Sequence, residues 1–163
     1  MTSLDLVDYE VISVLHRDGR CPAVKIAKEI GVSEATVRRR VEKLVEEGVI
    51  RIAAVSDPHK LGFPLVIYGN AKIDHGNLNE AAETLAEFKE VRFVAITAGR
   101  HTLTFEAWFG TNEHLLEFLT ERLDAIEGIS DVEVSQLLYK IKDNYYVEGT
   151  DIIALAEQAF ELS

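Results

Sequence analysis

Residues 23 to 48 place two helical patterns around a turn of only two residues, "GV", and that spacing leaves few folds open. Before the turn, Pro22 opens a short run with Ile26, Ala27 and Ile30 on one face, because proline's missing N–H costs nothing in a first helical turn. Gly31 closes it. After the turn, Ser33 is a good N-cap, and Val37, Val41, Leu44 and Val45 supply a buried stripe that Gly48 ends. An earlier run, with Asp8, Val11, Ile12 and Leu15 on one helical face, stops at Gly19. Three helices with so tight a joint between the last two predict a helix-turn-helix domain over residues 1–52.

The composition of the third helix gives this geometry a use. It carries Arg38, Arg39 and Arg40 in a chain of 163 residues with a formal net charge of −11. Residues 1–60 hold ten basic and ten acidic side chains, net zero, whereas residues 61–163 hold seven and eighteen, net −11. Only the first segment could accept a polyanion. In a helix-turn-helix the second helix enters the major groove with its first turns against base edges, where arginine can give two parallel hydrogen bonds to guanine. The helical wheel sets Ala35, Thr36, Arg39 and Lys43 opposite the valine stripe, with Arg38 and Arg40 on its flanks. Ser33, Ala35, Thr36, Arg38, Arg39, Arg40 and Lys43 are the predicted DNA-contacting set, Arg39 the leading base reader, Arg40 and Lys43 within reach of phosphates. A plainer reading makes the same face merely solvated, its arginines paired with Glu34, Glu42, Glu46 or Glu47.

The segments "LDLVDYEVISVLHRDGR", "KIAKEIGVSEATVRRRVEKLVEEGVI" and "DPHKLG" together resemble the opening of the Lrp/AsnC feast/famine transcription regulators. The family pattern LD-x-x-D falls on Leu4, Asp5 and Asp8; LA-x-x-x-G-x-S on Ile26, Ala27, Gly31 and Ser33; T-V-x-x-R on Thr36, Val37 and Arg40; G-V-I on Gly48, Val49 and Ile50. The resemblance covers about residues 4 to 142.

After a linker at 53–63, the remaining pattern is consistent with it. "PLVIYGNAKI" (64–73) reads as a strand, and Leu78, Ala82, Leu85 and Phe88 repeat at helical spacing. "RFVAIT" (92–97) and "TLTFEAWF" (102–109) read as a hairpin, with Leu103, Phe105 and Ala107 on one face. Leu115, Leu116, Leu119, Leu123 and Ile126 form a second amphipathic helix, and "DVEVSQLLYKI" (131–141) a last strand. The order βαββαβ is the ferredoxin-like arrangement. The predicted class is α+β: an N-terminal, winged-helix-like helix-turn-helix domain and a C-terminal ferredoxin-like domain at 64–142. A tail at 143–163 carries Ile152, Leu155, Ala156, Ala159 and Phe160 on one stripe, expected to pack on its own sheet module or to exchange with a partner subunit.

By resemblance, the second module senses a small effector such as an amino acid and dimerises through its sheet, the dimers often assembling into larger rings such as octamers. Its effector pocket is lined by the turn of the central hairpin, usually G-x-Y-D; here the turn is Gly99, Arg100, His101 and Thr102. The aspartate that would meet an ammonium group is missing. Arg100 and His101 could instead receive an acidic group, so these four residues are the expected effector site.

Other classes have thinner support. The histidines show no metal-ligand spacing, and there is no glycine-rich phosphate loop or nucleophile elbow, so neither metal nor cofactor is expected. The two-domain layout also resembles sirohaem decarboxylases, and the dimeric ferredoxin-like barrel occurs in small monooxygenases; His101 beside Arg100 would be the site of such an enzyme. A single cysteine, Cys21, excludes an intrachain disulfide. No apolar run approaches the ~18 residues of a membrane span, and the start "MTSLDLVDYE" is acidic where a signal peptide would be basic. A cytoplasmic partner of double-stranded DNA, not an enzyme, is the expectation.

Overall fold

The computed structural model describes residues 4–74 and 76–141. The predicted terminal helix on 143–163 lies outside the described residues. The chain divides into two compact units that part between Ala54 and Val55.

The first unit holds three helices, α1 (Leu6–Arg17), α2 (Ala23–Ile30) and α3 (Glu34–Glu46). Helix α1 begins with a capping box: the Asp5 carboxylate accepts from the Asp8 N–H, and the Asp8 carboxylate accepts from the Asp5 N–H. Pro22 caps α2 from just outside rather than occupying its first turn, and Gly31 ends α2 with φ 76°, a left-handed conformation that glycine adopts without a Cβ penalty. Ser33 Oγ accepts from the Thr36 N–H at 3.1 Å and starts α3. Val11, Ile26, Val37 and Leu44 are essentially inaccessible and form the centre of this core. Val45, expected on the buried stripe, is 45% exposed. The stripe is narrower than the sequence pattern implied, because Val37 and Leu44 already fill the space facing α1 and α2.

The second unit is a four-stranded antiparallel sheet in the order β2-β3-β1-β4, built from β1 (Leu65–Ile73), β2 (Val91–Ile96), β3 (Leu103–Phe109) and β4 (Ile129–Gln136). Helix α4 (Leu78–Ala86) and α5 (Asn112–Glu117), the latter running into a π-helical turn at Phe118–Arg122, cover one face. Strand β3 alternates strictly, with Leu103, Phe105, Ala107 and Phe109 buried. Leu116, expected to face the core, is 62% exposed. Phe118 takes the central place instead, its ring 5.1 Å from Phe109 and 6.1 Å from Phe105 between centroids. The last strand stops at Gln136 rather than 141, because its partner β1 begins at Leu65: Gln136 pairs with Ile67, and Leu137 N–H reaches Val66.

Near its start, β4 carries a bulge. Glu133 pairs with Asn70 and Ser130 with Lys72, so Asp131 and Val132 both face the single residue Ala71. Asp131 takes φ 46° there, a conformation aspartate tolerates better than most side chains.

Candidate nucleic-acid interface and effector turn

The three adjacent arginines of α3 have three different environments. Arg38 Nε and Nη2 donate to Glu34 Oε1, one helical turn back, at 3.0 and 2.6 Å. This is an exposed pair of a kind worth only about 0.3–0.5 kcal/mol, so Arg38 can leave it for another acceptor. Arg39 is exposed and has no side-chain hydrogen bond or ion pair among the described residues.

Arg40 turns inward, away from the phosphate contact expected of it. Its Nη1 donates to both carboxylate oxygens of Asp8, at 3.0 and 3.1 Å, and its Nη2 lies 2.8 Å from Asp5 Oδ2. The physical reason is Asp8, which is 1% exposed and would otherwise be a buried, unmatched charge. The Asp8 N–H, and then the Arg40 guanidinium, hold the Asp5 carboxyl below its ordinary value against the opposing effect of desolvation. Desolvation would lower the Arg40 guanidinium; its hydrogen bonds to Asp5 and Asp8 outweigh it and raise it. Arg40 therefore fixes α3 against the start of α1.

Ser33 and Thr36 are committed to the cap, their hydroxyls 2.8 Å apart. Ala35 is exposed and Lys43 is half-buried on α3. The outward surface of the helix thus offers Ala35 and Arg39 directly, with Arg38 available on release from Glu34.

In the second unit, the β2–β3 turn is anchored by Thr102. Its N–H donates to the Ala71 carbonyl, its Oγ1 accepts from the Ile73 N–H at 3.0 Å, and its carbonyl accepts from the Thr97 N–H. Thr102 thereby ties the turn to β1 through backbone and side chain alike. Thr97 Oγ1 closes the loop on the His101 carbonyl at 2.9 Å. Arg100 is exposed, its Nη2 3.4 Å from Asp131 Oδ2 and 3.6 Å from Glu133 Oε1. His101 is largely buried, with Nε2 3.8 Å from Asp131 Oδ2 and 3.9 Å from Glu133 Oε2. Sequence reasoning missed Asp131 and Glu133, because no local signal links them to a turn so much earlier in the chain. They return carboxylate to a turn whose own sequence lacks it.

A separate cavity of about 380 Å³ lies at the far end of the same hairpin, lined by Leu61, Phe63, Arg92, Trp108 and Phe109 among others. Arg92 covers the Trp108 ring there, 5.1 Å from its centroid.

Residues 4–51 match a family of winged helix-turn-helix DNA-binding domains, and residues 69–147 match the Lrp/AsnC ligand binding domain. The chain is 37% identical over 135 residues to an uncharacterized HTH-type transcriptional regulator of Pyrococcus furiosus, covering 82% of this chain and 91% of the relative. It is 33% identical over 140 residues to the HTH-type transcriptional regulator LrpA of Pyrococcus horikoshii, covering 85% and 99%. A Neisseria meningitidis transcriptional regulator solved in complex with L-Met superposes with a TM-score of 0.80 at 22% identity, covering 89% of this chain and 96% of that one. The AsnC protein of E. coli superposes at 0.78, also at 22% identity, covering 88% and 97%. At that identity the two structures speak to the fold alone. With both halves matched in order, and with the two Pyrococcus relatives each spanning most of the chain, the protein belongs to the Lrp/AsnC family of HTH-type transcriptional regulators.

Proposed function

We propose that this regulator reads its operator chiefly through Arg39, with Arg38 as a second contact, and that the Gly99–His101 turn receives a small effector. The observation that carries the DNA reading is the division of labour among the arginines. Arg40 is held by Asp5 and Asp8, Arg38 is lightly held by Glu34, and Arg39 is exposed without a partner among the described residues. An unpaired guanidinium on the outer face of the second helix loses no internal contact when it turns to guanine.

Charge supports a dimer as the working unit. The helix-turn-helix segment and its linker are neutral and the remainder carries −11, so the body repels phosphate and non-specific binding is weak. Two half-sites about one helical turn apart, read by two copies, would supply the missing affinity; assembly of dimers into larger rings is compatible with this. In a prokaryote such as the Pyrococcus relatives the chromosome lies in the cytoplasm, which supports a cytoplasmic site of action. Family membership favours regulation over the decarboxylase or monooxygenase alternative. At the turn, an acidic effector group would pair with Arg100 after displacing Asp131 and Glu133 from it.

Selection of bound sequences from a random DNA pool tests the DNA reading. Arg39→Ala should cost roughly 1–3 kcal/mol at the selected site and relax base preference at one position of each half-site. An unchanged preference in the variant would overturn the assignment.

A further inference from the structure

Among the described residues, His101, Asp131 and Glu133 bring one imidazole nitrogen and two carboxylate oxygens within 4.8 Å of one another. We propose that these three side chains bind one divalent first-row transition-metal ion, making the hairpin turn a metal site. The inference concerns the cation alone and holds whether or not an organic effector also uses the turn.

Three features of the geometry point to a cation. His101 Nε2 is buried and has no hydrogen-bond partner. The carboxylate oxygens that face it, at 3.8 and 3.9 Å, are beyond hydrogen-bond length. A buried ring nitrogen facing two carboxylates across a gap of this size has the arrangement of a ligand set rather than of a hydrogen-bonded network. Ligand atoms around a metal at about 2.0–2.1 Å stand roughly 3.4 Å apart in a tetrahedron, so the imidazole and each carboxylate need to close by about half an ångström from 3.8 and 3.9 Å, and the two carboxylate oxygens, within 4.8 Å of each other, by up to about 1.4 Å. Asp131 and Glu133 can do so because both are partly exposed.

The scaffold holds the donors in place. Thr102 pins the turn to β1 through Ala71 and Ile73, and β4 pairs with the other edge of the same strand, so His101 and the two carboxylates reach toward each other across β1 from its two sides. Asp131 and Glu133, two positions apart on β4, are both exposed while Val132 and Val134 face the core, so the two carboxylates lie on one side of the sheet next to the bulge opposite Ala71. Two carboxylates beside one imidazole make a mixed nitrogen and oxygen set, which suits zinc, cobalt, nickel or manganese better than calcium or magnesium, whose ligands are oxygen.

Arg100 is the competitor. Its Nη2 shares Asp131 Oδ2 with the imidazole and takes the other oxygen of Glu133. A bound cation would turn the guanidinium out toward solvent, which costs little for a side chain already 72% exposed. Removal of Arg100 should therefore strengthen metal binding, whereas a structural ion-pair cluster would gain no metal affinity from it.

The test is titration of the chelator-stripped full chain with Co2+, followed by visible absorption and calorimetry, with circular dichroism confirming that each variant is folded. One Co2+ per chain is expected, with Mg2+ unable to displace it. Loss of an outer-shell partner alone lowers metal affinity roughly 10–100-fold, so His101→Ala and Glu133→Gln, which remove direct ligands, should each lower it by about 100-fold or more. Arg100→Ala should bind more tightly than the wild type. Binding that is weak and without fixed stoichiometry, that survives His101→Ala, or that Mg2+ matches would overturn the proposal and assign the uptake to scattered carboxylates of an acidic chain. Unchanged or weaker binding by Arg100→Ala would also count against it.

Discussion

Gly69→Ala is a small change that the structure makes expensive. Gly69 stands directly opposite Phe105 in the β1–β3 register. A Cβ built at Gly69 would lie 2.1, 2.3 and 2.7 Å from three atoms of the Phe105 ring. Carbon atoms at rest are about 3.5–4.0 Å apart, so the ring would have to withdraw by roughly 1.5 Å. It has nowhere to go: Phe105 is fully buried, and its ring packs against Phe118, which also touches Phe88 and Phe109. Overpacking of a dense core typically costs about 1–3 kcal/mol, and a displacement of this size belongs at the upper end, about 3 kcal/mol. The sign is informative in itself, since alanine is normally better than glycine in a strand by roughly 0.5–1 kcal/mol.

Urea unfolding measures this cleanly, because the one tryptophan, Trp108, lies on β3 and reports on the sheet unit. Phe105→Leu provides the control: with the ring gone, Gly69→Ala should recover most of its loss, a coupling of about 2 kcal/mol between sites in contact. A neutral or stabilising Gly69→Ala, or a penalty unchanged in the Phe105→Leu background, would refute the steric account.

Two further perturbations address the helix-turn-helix unit. Asp5 is held below its ordinary value of 3.8, so its contribution to stability is complete above that value and is lost as pH falls through the lowered one; Asp5→Asn should flatten the acid-induced loss of helix seen by far-ultraviolet circular dichroism, and an identical acid profile would count against the assigned contacts. Ser33→Ala removes the α3 cap and should destabilise by about 1 kcal/mol in thermal or urea unfolding, while Ser33→Asp, which restores an acceptor for the Thr36 N–H, should recover it; equal losses in the two variants would show that capping is not what Ser33 contributes.

Local patterns in the sequence carried the helices and strands because their causes are local. A serine three residues before an amide, a glycine after the last apolar residue and strict alternation along β3 all act within a few positions, and each is found where the pattern puts it. Edges of apolar stripes were less legible. Val45 and Leu116 satisfy helical spacing as well as their neighbours do, and only the volume already occupied by Leu44 and Phe118 decides that they face outward. The turn at Gly99 to Thr102 was visible as a hairpin, but its electrostatic character was not, because it depends on Asp131 and Glu133 of a strand that comes much later in the chain. The end of β4 was invisible for a similar reason, being set by where β1 begins.

Arg40 shows why a run of like residues cannot be divided by local pattern alone. On the wheel it flanks the valine stripe much as Arg38 does, and both have acidic side chains within one helical turn. What separates them is Asp8, in the first turn of α1 and 32 positions away in the chain, which has lost nearly all contact with water. A carboxylate in that position needs a cation that can reach it and remain there. Arginine satisfies this in a way lysine could not, since its fork gives Nη1 to Asp8 and Nη2 to Asp5 at the same time. The two family patterns, LD-x-x-D at the start of α1 and T-V-x-x-R in α3, are therefore the two halves of one contact. It ties α3 to the start of α1, while Arg39 faces outward by its helical phase opposite the buried Val37 and Leu44. A flanking arginine that the sequence puts within reach of phosphate is used for architecture instead, and its neighbour Arg39, already outward on the wheel, remains exposed.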